Sequence, residues 1–198
     1  MTTRRQVIGA GLALSVLPRL VEPRTGPASP GQRPVPVGRL LVDARFPDAV
    51  AMSTHAMPVR EAVTAIGRDV LGLWHDQFLP AVRDGDLAVF GGVTNPTTLF
   101  LLQTLAADQR MRVVYRTDHA RAVRGVLRHV LSGPAPTVSR VARGAGQDDW
   151  RLRFGQALRQ CHAGGRPARR TVLTADDASG SRDEMLVSWI IASRRSVA

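Results

Sequence analysis

The chain has 198 residues, of which 44% are apolar and 22% charged, a balance that excludes the disordered and collagen-like classes. Its net charge of +11 comes from 27 basic residues against 16 acidic ones, and every basic residue is arginine. The absence of lysine excludes a Schiff-base lysine, a lysine general base and a phosphate-loop lysine. The lone Cys161 excludes an internal disulfide and any cysteine-built zinc or iron–sulfur site.

Thr3, Arg4, Arg5 and Gln6 precede an apolar run from Val7 to Leu17, and Arg19 follows it. A charged start and a short apolar core form a targeting pattern, since a membrane span needs ~20 apolar residues. The segment resembles a bacterial twin-arginine export signal over about the first tenth of the chain. The family places a large aromatic residue two positions after the second arginine, then leucine and often lysine; Val7, Ile8 and Gly9 stand there instead. The resemblance implies a periplasmic or otherwise exported protein, folded before export and carrying a cofactor or a larger partner, or simply fast to fold. The same segment could also touch a membrane surface. Small residues at Gly26-Pro27-Ala28-Ser29 offer the best cleavage point. Prolines 18, 23, 27, 30, 34 and 36 keep the stretch before Gly38 out of helix and sheet. Residues 1–36 are therefore expected to be signal and linker, and residues 37–198 a single domain.

Within that domain, strand and helix patterns alternate. Leu40 to Asp43 reads as a buried strand, and Pro47-Asp48 opens a helix running through His55. Val59 to Ile66 reads as a second strand, and Asp69 to Val82 as a helix with Trp74, Phe78 and Leu79 on one side. Asp86 to Val93 is a third strand. Thr94 or Asn95 can cap the next helix, Thr97 to Gln109, with Pro96 in its first turn. Met111 to Arg116 is a fourth strand. Ala120 to Leu131 reads as an arginine-rich amphipathic helix with Val123, Val126, Leu127 and Val130 as its stripe. A break follows at Gly133-Pro134-Ala135-Pro136. Asp148 to Gln160 is a second arginine-rich helix, its acidic start matching the helix dipole. Thr171 to Thr174 and Met185 to Ala192 close the chain as an antiparallel strand pair at the sheet edge. The expected fold is α/β, three-layered, with a mainly parallel sheet of βαβ units.

In open parallel sheets, ligands bind beyond the carboxyl ends of the strands. Asp43 and Arg45 follow the first strand, Thr94 and Asn95 the third, and Arg116, Thr117, Asp118 and His119 the fourth. Asp43, Arg45, Thr94, Asn95 and Arg116 are the expected ligand-binding set. Arg45 and Arg116 could share one anion, and the Gly91-Gly92 turn could seat a carboxylate or phosphate before a helix. Asp118 and His119 offer a general base and its orienting group. Each also has a plain structural role: Asp43 with Arg45 as an ion pair, Thr94-Asn95-Pro96 as a cap, His119 as the start of a helix. His75-Asp76 beside Trp74 diverges on a helix, and Cys161-His162 reads as a buried thiol at a helix end. There is no metal-ligand spacing among the histidines and no dinucleotide or haem fingerprint, so no cofactor or metal is expected.

Charge separates along the chain. Residues 37–120 hold eight arginines and nine acids, whereas residues 121–198 hold fourteen arginines and six acids. A basic half suits an acidic partner, such as a larger exported enzyme, or a small anion. Nucleic acid is disfavoured, because aromatics are only 5% of the chain and single-strand binding needs stacking platforms. Two functions follow. One is a non-catalytic exported module, an accessory subunit of an envelope enzyme or a binder of a small anion. The other is a small enzyme using Asp118 or His119 as base beside Arg45 and Arg116.

Overall fold

The computed structural model describes residues 36–57, 62–121, 126–144, 149–161, 169–176 and 185–193. Strand β1 (Arg39–Asp43) puts Leu40 and Val42 on one side of the sheet and Leu41 on the other, all buried. Helix α1 (Pro47–Ala56) starts at a proline and carries Asp48 in its first turn. Strand β2 (Val63–Ile66) returns parallel to β1.

A helical stretch follows as α2 (Val70–Leu73), a π-helical turn (Trp74–Phe78) and α3 (Leu79–Asp84). Asp69 caps it by accepting from the Gly72 backbone N–H at 2.7 Å, and Gly85 ends it at φ 87°, a left-handed conformation that a β-carbon would strain. Strand β3 (Val89–Thr94) pairs parallel with β1, and α4 (Pro96–Ala107) follows.

The remaining elements are β4 (Met111–Arg121), β5 (Val126–Gly133), α5 (Ala135–Arg143), α6 (Trp150–Arg159), β6 (Arg169–Asp176) and β7 (Leu186–Ser193). Among the described residues, seven strands form one sheet in the order β2-β1-β3-β7-β4-β5-β6. An apolar cluster lies on each face. Met52, Val138, Val141, Trp150, Phe154 and Leu158, from α1, α5 and α6, build one; Trp74, Phe78, Phe90, Leu99, Leu102 and Trp189 build the other around α2 to α4.

The fold is mixed α/β, as expected, but the sheet is not mainly parallel. Only β2, β1 and β3 run parallel; every pairing from β3 through β7, β4, β5 and β6 is antiparallel. The expected helix over Ala120 to Leu131 is instead the end of β4 and most of β5, with residues 122–125 outside the described set. Of the two expected arginine-rich helices, only the second forms, as α6, where Asp149 accepts from the Arg151 backbone N–H at 2.9 Å. The proline-rich break at residue 134 starts α5, since proline is well placed in a first helical turn.

The last two strands do not pair with each other either. Strand β6 lies at the sheet edge beside β5, and β7 is inserted at the centre between β3 and β4. Its residues Leu186 to Ala192 are all buried, as a strand covered on both faces must be. The Gly91-Gly92 pair lies inside β3 rather than in a turn. A β-carbon on Gly92 would collide with the Trp189 ring and stand 2.9 Å from the Leu41 carbonyl, so the glycine makes room for the indole. Residues 1–35, which include the export-signal resemblance and most of the linker, lie outside the described set.

Candidate functional site

The residues expected at the strand ends do gather at one end of the sheet. Val187 at the start of β7 is the register partner of both Thr94 on β3 and Asp118 on β4. His119 and Thr117 stand opposite Leu186 and Ser188. On β1, Asp43 follows Val42, whose partner is Val93. The backbone thus brings Asp43, Arg45, Thr94, Asn95, Arg116, Asp118 and His119 to the same edge.

Their side chains are used internally. Arg45 clamps the fully buried Asp43, its Nε donating to Oδ1 at 2.8 Å and Nη2 to Oδ2 at 2.7 Å; its backbone N–H adds a third bond at 3.2 Å. Thr94 Oγ1 accepts from the Trp189 indole N–H at 3.0 Å and donates to the Asn95 carbonyl at 3.1 Å. Asn95 caps α4 by accepting from the Thr98 backbone N–H at 2.8 Å. Arg116 donates to Asp118 through Nη2 at 2.6 Å and Nε at 3.0 Å.

Asp118 and His119 do not act together. Successive residues of a strand point to opposite faces. Arg116 and Asp118 lie half-exposed on one side of β4, while Tyr115, Thr117 and His119 are buried on the other. On that buried side lies a polar line that the sequence reading left unassembled. His119 stands directly opposite His129 on β5, with the two Nδ1 atoms 2.7 Å apart, and His119 Nε2 lies 2.9 Å from Ser188 Oγ. Thr117 Oγ1 donates to the Tyr115 hydroxyl at 2.9 Å. Trp150 and Phe154 of α6 close over both imidazoles, with Phe154 centroids 4.7 Å and 4.6 Å from the rings.

Electrostatics follow from this burial. Desolvation, with a smaller repulsion from His129, holds His119 well below the ordinary histidine range, so the ring is neutral at pH 7. One ring must then donate across the Nδ1–Nδ1 contact and the other accept. Burial likewise pushes the Tyr115 phenol upward. A hydroxyl–imidazole–imidazole line can move a proton along its length; here Ser188 and His129 are fully buried and His119 is 2% exposed. His119, His129, Ser188, Tyr115 and Thr117 therefore form a polar seam in the core.

The other sequence candidates are quiet. Burial pushes the Cys161 thiol up to about 12, and Thr137 donates to it at 3.9 Å, so it is not a ready nucleophile. His75 and Asp76 lie exposed on the π-helical turn, and His162 is outside the described residues. Among the described residues there is no group of three histidine, cysteine, aspartate or glutamate side chains placed to hold a metal. A depression of about 710 Å³, lined in part by Arg83, Gly85, Gln109 and Arg110, opens at the opposite end of the strands. None of the expected site residues lines it. The fold and site define a mixed α/β protein with an internally neutralised strand-end cluster. Comparison with protein-family models, curated proteins and solved structures returns no match, so the site is argued from its own geometry.

Proposed function

We propose that the protein is an exported, non-catalytic module that docks as an accessory subunit on a larger acidic partner. The observation that carries this reading is the internal use of each candidate chemical group. Asp43 and Arg45 hold each other, Arg116 holds Asp118, Asn95 caps a helix and His119 sits under α6. A small anion would have to displace a carboxylate already bound to Arg45 or Arg116, which counts against the anion-binding variant. The basic half, by contrast, keeps charge outside such pairs: Arg128 and Arg170 make no ion pair with a described residue. Of the three arginines in the expected Ala120 to Leu131 helix, Arg128 is exposed on β5; the side chain of Arg121 and the whole of Arg124 lie outside the described set. In this reading the three-layer arrangement belongs to the β2-β1-β3 end, and the β4-β5-β6 end stays two-layered.

Export and docking are tested together in a bacterium with a twin-arginine pathway. With Arg4 and Arg5 both changed to lysine, the tagged chain should stay in the cytoplasm, while the parent reaches the periplasm. Proteins co-purified from the periplasm should be released as salt rises through ~0.15 M. Unchanged periplasmic delivery of the double variant removes the export reading. A complex that survives high salt replaces the acidic partner with an apolar one.

A further inference from the structure

The two faces of the β4-β5-β6 end are unlike. On one, Leu127, His129 and Leu131 of β5 are buried, and Leu173 and Ala175 of β6 pack against the same cluster; α5 is packed on both strands. Alternation therefore turns Arg128 and Val130 of β5, and Arg170 and Val172 of β6, to the other face, where Arg116 and Asp118 of β4 also lie. Exposure agrees: Arg128 and Arg170 are exposed, and Val172 is 47% exposed, high for a valine in a sheet.

Register fixes the layout. Asp118, Val130 and Val172 form one row across the three strands, because Asp118 pairs with Val130 and Val130 with Val172. In the next row Arg116 and Arg170 flank Ser132 from either side. On the other side of the valines, Arg128 stands opposite Thr174. The result is an aliphatic centre with guanidinium groups above and below it. Asp118 neutralises Arg116, whereas Arg128 and Arg170 make no ion pair with a described residue.

Resting on the accessory-subunit reading, we propose that this open sheet face is the docking surface. Its occupant is a partner protein presenting an aliphatic side chain ringed by carboxylates. Charge complementarity selects the occupant: two guanidinium groups with no ion pair to a described residue frame Val130 and the exposed Val172, and burying them needs carboxylates opposite. The centre is an apolar contact within a charged rim, the anatomy of a protein interface. It has no aromatic ring among its described residues, which a single-stranded nucleic acid would need for stacking. Strands ~4.8 Å apart and rows ~7 Å apart make a patch about 10 by 14 Å, the centre of an interface of ~800 Å² per partner.

The test uses the full chain and a fluorescent peptide alternating glutamate and valine, followed by anisotropy at low salt and at about 0.3 M. The parent should bind, and Arg128→Glu with Arg170→Glu should weaken binding at least about tenfold. The control, Arg143→Glu with Arg159→Glu, changes net charge equally and should stay within about twofold of the parent. All four positions are exposed, and matching melting temperatures establish that the variants fold. Equal losses in both double variants overturn the face while leaving the acidic-partner reading intact. Failure of the parent to bind the peptide at low salt overturns that reading as well. Tighter binding of a single-stranded oligonucleotide, lost in Arg128→Glu with Arg170→Glu, reassigns the face to nucleic acid.

Discussion

At the residue scale, the buried imidazole of His119 ties stability to pH. Its pKa is lower in the folded protein than in the unfolded chain, where it stays near the ordinary value of about 6.5. Above that value neither state holds the extra proton, and stability is level. As pH falls below about 6.5 the unfolded chain gains a proton that the folded ring refuses. Stability should then drop by about 1.4 kcal/mol per pH unit from this group alone. Urea unfolding at about pH 7.5, 6.5 and 5.5 measures the slope, and His119→Gln should reduce it over that window. A level profile in the parent would mean that the ring accepts its proton in place. The two arginine–carboxylate pairs should differ as well. Asp43 is fully buried, so Arg45→Ala leaves an acceptor in the core without its two guanidinium bonds, a cost of about 1–3 kcal/mol. Arg116 and Asp118 both face solvent in part, and Arg116→Ala should cost no more than ~1 kcal/mol. Thermal unfolding of the two variants side by side checks the order; a larger loss at Arg116 would contradict it.

At the element scale, what was legible depended on local chemistry. The Asn95 cap, the Pro96 start, the apolar runs of β1 and β3 and the Asp149 end of α6 each carry their signal in adjacent residues, and each element forms close to where those signals fall. The β4–β5 hairpin was hidden because histidine fills inward positions. Leu127, His129 and Leu131 alternate into the core, but treating His129 as polar leaves valines and leucine at helical spacing. The same substitution hid the polar seam, since nothing local pairs His119 with His129 or brings in Ser188 from 69 residues away. The β7 position is legible in its residues: a run from Leu186 to Ala192 broken only by Ser188 marks a strand covered on both faces, not an edge. Beside it, β3 carries the matching constraint. Gly92→Ala should cost at least about 1–3 kcal/mol, because the new methyl meets the Trp189 ring and the Leu41 carbonyl. A melting temperature equal to the parent's would show that the indole can move aside.

At the scale of the whole molecule, the shared strand end of Asp43, Thr94 and Asp118 was legible, and the pairing of their side chains was not. The row of backbone positions follows from strand direction, which the alternating pattern indicates; which side chains consume one another depends on faces and register, which only the folded sheet supplies. The central position of β7 bears on how the molecule is made. Among the described strands it is the one that joins the parallel half, ending at β3, to the antiparallel half, beginning at β4. Until residues 186–193 have left the ribosome, β3 and β4 face each other across a missing strand, each with an unsatisfied row of amides and carbonyls. The sheet cannot complete its hydrogen bonding on either side of this gap until β7 is in place. A transport route that takes only finished folds would act only once β7 has closed the sheet.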